Sequence, residues 1–134
     1  MKEKTIGERY GLHATEEQKK GYSLEQWYAA LTEKTEEELE PVDVMRMFRQ
    51  NILPELAAKK AIEYLQNDPL NGELWPGEFL ESVVRFPVHF IPRYRDELRT
   101  IVSNGRKELE RTDLLMEEEK EEYADTLMKV EKMI

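Results

Sequence analysis

Apolar side chains recur along this chain at three- and four-residue intervals, and no alternating stretch is long enough to require a strand. Leu24, Trp27, Tyr28 and Leu31 form one such stripe, Val44, Met45, Phe48 and Ile52 a second, and Leu56, Ala57, Ala61, Tyr64 and Leu65 a third. Phe79, Leu80, Val83 and Val84 follow, then Ile91, Tyr94, Leu98, Ile101 and Val102, and finally the narrow stripe Tyr123, Leu127, Val130 and Ile134. Stripes of this kind are the buried faces of amphipathic helices.

Punctuation residues bound these helices. Ser23 with Gln26, and Thr35 with Glu38, have capping-box spacing, in which a hydroxyl and a carboxamide or carboxylate satisfy free amides reciprocally. Pro41 fits a first helical turn, where its missing N–H costs nothing. Asn51 and Pro54 mark a break, and the next helix is predicted from about Pro54 to Gln66. Asn67-Asp68-Pro69 ends it, Asn71-Gly72 is a turn pair, and Pro76-Gly77 opens a helix that Pro87 closes. Pro92 sits early in the following helix, which Ser103-Asn104-Gly105 either ends or frays.

The expected fold is therefore all-α, a single compact domain of about five to six helices. Residues 1–22 are polar and read as a flexible N-terminal arm with one short helix around Thr15 to Lys20, where Thr15 and Gln18 have capping spacing. Residues 23–105 form the core. Residues 106–134 form an amphipathic C-terminal helix, either docked on the body or pairing with another chain.

Composition narrows the function classes. A chain of 134 residues can bury roughly two-thirds of its unfolded surface, enough for a core without staples. With no cysteine, disulfides, thiolate metal sites and thiol nucleophiles are all absent, which suits a reducing compartment. No apolar run approaches the ~20 residues of a membrane helix, and none follows the charged Met1–Thr5 start, so a cytoplasmic protein without a membrane role is expected. The net charge of −9, from 29 acidic and 20 basic residues, opposes nucleic-acid binding and favours a basic protein partner.

Catalytic groups are sparse. His13 and His89 lie in different segments, and neither has a second histidine at helical spacing for a metal site. Nucleophile elbows, phosphate loops, dinucleotide fingerprints and the Asp-x-Asp-x-Asp-Gly calcium loop are missing, so no cofactor, metal or enzymatic activity is expected. Glu36-Glu37-Glu38 and Glu117-Glu118-Glu119 read as solvated faces. Binding features are stronger. One acidic run spans Glu33 to Asp43 and another Glu63 to Glu81; the second encloses Trp75, which either folds inward or offers a rigid interface surface beside Pro76 and Gly77. Arg85, Arg93, Arg95 and Arg99 are expected to pair internally with the acidic helices.

The stretch from Leu39 to Arg85 resembles the immunity proteins of contact-dependent growth inhibition (CDI) and related polymorphic toxin systems. Asp43, Arg46 and Gln50 match that pattern's first helix, Asp68-Pro69-Leu70 its middle, and Trp75-Pro76-Gly77-Glu78 with Leu80 its turn into the next helix. Met45 displaces the usual Leu-Arg order, Trp75 stands for Tyr and Glu78 for Asp. The resemblance implies an antidote that binds the toxic C-terminal domain of a delivered effector, often a nuclease; in isolation the chain is expected to be a monomer or weak dimer. The expected toxin-contacting residues are Glu36, Glu37, Glu40, Asp43, Asp68, Glu73, Trp75, Glu78 and Glu81, and reversing Glu73 and Glu78 is expected to leave the fold intact. The alternative is a non-catalytic helical adaptor that self-associates through its C-terminal helix.

Overall fold

Threonine, proline and glycine decide where the helices start. The computed structural model describes residues 3–72 and 75–134, and every regular element among them is helical. The chain divides into two compact units, Met1–Asp43 and Val44–Ile134.

The first unit holds α1 (Ile6–Tyr10), α2 (Glu16–Lys19), α3 (Ser23–Glu33), a 3-10 turn (Glu36–Glu38) and the first residues of α4 (Pro41–Gln50). Capping boxes close the starts of three elements, through Thr5 with Glu8, Thr15 with Gln18 and Thr35 with Glu38. The second and third match the spacing in the sequence. Ser23 does not cap, because it is already the first helical residue and Tyr22 holds the N-cap position without a side-chain bond.

The segment before Ser23, expected as an arm, carries two helices that both pack on α3. Ile6 and Gly7 are the cause. Ile6 is fully buried, and its N–H donates to the Lys34 carbonyl at 2.7 Å. Gly7 approaches α3 so closely that a Cβ there would lie 2.8 Å from the Thr32 carbonyl oxygen.

In the second unit α4 ends at Gln50, and Asn51 and Leu53 after it are both in the left-handed region with φ of 53° and 45°. Pro54 then opens α5 (Pro54–Asn67) as the sequence predicts. The loop after it folds back on itself: the Gly77 N–H donates to the Leu70 carbonyl (2.9 Å), and the Phe79 N–H to that of Asn71 (3.1 Å). Gly77, at φ 83°, is the N-cap of α6 (Glu78–Val83), whose Phe79, Leu80 and Val83 are fully buried. A single turn, α7 (Phe90–Arg93), precedes α8 (Arg95–Arg111). Pro92 therefore lies in α7, and the long helix starts after it.

Ser103-Asn104-Gly105 neither ends nor frays α8, which continues for six more residues to Arg111. Gly105 is buried under α9 (Glu117–Met133). Tyr123, Leu127 and Val130 of α9 are at most 2% exposed, and α9 packs on both α8 and α6. The Tyr123 ring packs against Gly77 and Gly105, and its hydroxyl donates to the Pro69 carbonyl at 2.9 Å. An Arg106–Glu131 ion pair adds a second tie between α8 and α9.

Helix propensity alone gives Gly105→Ala a gain of about 1 kcal/mol. The added Cβ would instead lie 2.5 Å from the Tyr123 hydroxyl and 2.9 Å from Leu127 Cδ2. Gly105→Ala is therefore expected to lower unfolding free energy by about 1–3 kcal/mol, the range for overpacking a filled core. Urea denaturation monitored by circular dichroism checks the sign.

Candidate functional site

Four of the expected contact residues lie in the first unit, and two of those have internal roles. Asp43 is 2% exposed. Its carboxylate accepts from Trp27 Nε1 (2.8 Å), Lys34 Nζ (2.8 Å) and the Glu40 N–H (3.0 Å). Burial alone would raise its pKa. The Lys34 ammonium and the two N–H donors outweigh that and hold it below the usual carboxylate value. Asp43 thus closes the start of α4 onto α3 and offers no surface to a partner. Glu36 accepts from the Tyr10 hydroxyl (2.6 Å) and pairs with Arg9 (3.0 Å). Glu37 and Glu40 have exposed side chains.

The other five belong to the second unit. Asp68 is exposed and accepts the Leu70 N–H at 3.0 Å, an Asx turn that shapes the loop. Glu73 lies outside the described residues. Glu78, expected at the surface, is 2% exposed. Its place directly after the Gly77 turn puts it under the loop: a Cβ at Gly72 would come within 2.8 Å of Glu78 Cβ.

Trp75 and Glu81 do form a surface. Trp75 is 43% exposed, and its indole Nε1 donates to Glu81 Oε2 at 3.0 Å, so it neither folds fully inward nor swings free. Trp75 lines both a groove and a smaller cleft. The groove, of about 350 Å³, is lined by Trp75, Glu81, Glu122, Asp125, Thr126 and Lys129. The cleft, of about 90 Å³, is lined by Met45, Arg49, Trp75, Glu78, Glu81, Ser82 and Arg85. An exposed tryptophan beside methionine and arginine brings together residue types enriched at interfaces.

Sequence reasoning missed Glu122, Asp125 and Lys129 in the groove and Arg49 and Arg85 in the cleft. Glu122, Asp125 and Lys129 recur at three- and four-residue spacing on α9, which marks a polar helix face but not its neighbour. The arginines were expected to pair internally. Among the described residues Arg99 has only an exposed contact with Asp96, at 3.9 Å, while Arg85 and Arg95 make no ion pair. Arg93 lies 5.8 Å from the Phe90 ring centroid. His13 lines a separate cleft in the first unit, of about 230 Å³, and His89 sits edge-on to Phe90 at 4.5 Å.

A family model described as CDI immunity proteins matches residues 8–101, more than half of the chain. No curated protein and no solved structure matches.

Two stability predictions follow from the buried carboxylates. Because folding lowers the Asp43 pKa, its contribution is present above the ordinary value of 3.8 and is lost as pH falls below it toward the folded value. Asp43→Asn should cost about 1–3 kcal/mol at pH 7, and the gap to the parent should narrow as pH drops below 3.8, read from denaturation midpoints across a pH series. Glu78→Lys should behave as a core lesion of more than about 2 kcal/mol. A melting temperature equal to the parent's would contradict the burial of Glu78.

Proposed function

The chain belongs to the CDI immunity proteins, and on that premise we propose that its Trp75 face binds the toxic C-terminal domain of the cognate effector and blocks it without catalysis. The observation that carries this reading is the half-exposed Trp75, fixed by Glu81 beside a groove whose exposed walls are Glu122 and Asp125. An aromatic anchor already held in one orientation loses little conformational freedom on binding, which raises affinity for a given contact area. The surrounding carboxylates supply charge complementarity.

The proposed partner is basic, and the net charge of −9 favours a nuclease, whose phosphate-binding surface is cationic. Carboxylates on this face would occupy positions that phosphates take, and the body of the domain would exclude the substrate by bulk. Neutralisation would take place in the cytoplasm of the cell that receives the toxin. The alternative of an adaptor that dimerises through its last helix has less support, because the stripe it needs (Tyr123, Leu127 and Val130) is buried against α8 and α6.

The first test is co-expression with the C-terminal domain encoded immediately upstream. A one-to-one complex that abolishes toxicity supports the reading, and separate elution with toxicity intact overturns it. Within a complex, Glu122→Lys with Asp125→Lys should weaken binding about tenfold or more, largely through slower association at low salt. Both side chains are exposed, so the melting temperature should hold. Unchanged association kinetics in the double variant would move the interface elsewhere.

A further inference from the structure

The two depressions beside Trp75 differ in the charge they present. In the groove, the exposed Glu122 and Asp125 face a single cation, Lys129, while Glu81 is engaged by the indole N–H. In the cleft the exposed charges are the guanidinium groups of Arg49 and Arg85. Glu78 also lines the cleft but is 2% exposed, and Glu81 is the wall it shares with the groove. Neither the Arg49 nor the Arg85 guanidinium makes a hydrogen bond or ion pair among the described residues, although carboxylates line the same cleft. Ser82, on the buried side of the same cleft, has its hydroxyl turned to the Phe79 carbonyl.

We propose that the partner straddles Trp75 with two oppositely charged side chains, a carboxylate received by Arg49 and Arg85 and a cation received by Glu122 and Asp125. This rests on the reading that the Trp75 face binds the toxin domain, and it adds a partner chemistry that net charge does not suggest. A guanidinium presents planar, paired N–H donors that match a carboxylate's two oxygens, a geometry that an ammonium lacks. Two such groups without internal partners at the mouth of one small cleft form a receptor for one acidic side chain. A cation in the groove then fixes register, since sliding or inverting the partner would set like charges together. Trp75 acts as the divider between the two subsites, and its bond to Glu81 keeps that divider in place.

The experiment separates local pairing from the overall field. Arg49→Glu with Arg85→Glu takes the net charge from −9 to −13, because each exchange removes one positive charge and adds one negative. If a basic partner were recognised by field alone, this variant would associate faster and bind at least as tightly. Recognition by the cleft predicts the opposite: weaker binding by about tenfold or more, expressed mainly as faster dissociation.

The measurement is surface-immobilised kinetics with the C-terminal domain encoded immediately upstream, at low and physiological salt, with circular dichroism confirming the fold of each variant. A second pair, Arg49→Lys with Arg85→Lys, keeps the charge and removes the fork, and it should remain severalfold weaker than the parent. Equal or tighter binding by the Glu pair, or full affinity in the Lys pair, overturns the proposal while leaving the toxin-binding reading standing. Failure of the parent chain itself to bind would remove that reading, and this proposal with it.

Discussion

Tyr123 occupies a position in the second unit where three separate pieces of chain make room for a ring. Its Cδ2–Cε2 edge meets Gly77, its hydroxyl end meets Gly105, and the hydroxyl donates to the Pro69 carbonyl. Only glycine fits at the first two places. At Gly77 the positive φ and the ring both exclude a side chain, and at Gly105 the helix is pressed against the hydroxyl. Burial raises the phenol pKa well above its ordinary value, and Asp68 and Glu108 push it in the same direction, so the hydroxyl remains a donor at physiological pH. The loop after α5, the start of α6 and the middle of α8 are thereby referenced to α9.

The candidate face inherits its geometry from that contact. Glu122 precedes Tyr123 directly, and Asp125 and Thr126 follow within the next turn, so pinning the ring also sets the polar wall of the groove. Pro76 and Gly77 bring the chain from Trp75 into α6, and Glu81 one turn later takes the indole N–H. The aromatic anchor and the carboxylates beside it are held by the same packed elements, which gives the face a defined shape before any partner arrives.

Helix periodicity and proline positions made the all-α fold legible, and Pro41, Pro54 and the Pro76-Gly77 pair mark real helix starts. The misread positions share one cause. Gly105 looks like a stop because glycine weakens helices, yet its reason for being there lies 18 residues away in Tyr123. Asp43 and Glu78 look like solvated first-turn carboxylates. The partners that bury Asp43, Lys34 and Trp27, lie 9 and 16 residues back, and Glu78 is covered by a loop closed through Leu70 and Asn71. The arm before Ser23 looked disordered because its apolar content is small, but Ile6 and Gly7 suffice when α3 supplies the other wall. The pairing of Trp75 with Glu122 and Asp125 joins two elements about fifty residues apart, which no local pattern reports.

These reassignments change what the net charge of −9 means. Asp43 is enclosed by its own donors, Glu36 is tied to Arg9 and Tyr10, Glu131 pairs with Arg106, and Glu78 lies beneath the surface. The carboxylates that set the net charge are therefore more numerous than those free to touch a partner. Long-range attraction depends on the former and falls with salt; contact specificity depends on the latter and on the shape that holds them. A binder relying on the field alone would accept many cationic surfaces equally. A face that sets exposed arginines in one depression beside a fixed indole and exposed carboxylates in another can discriminate among them, because a partner must match the order of charges as well as their sum.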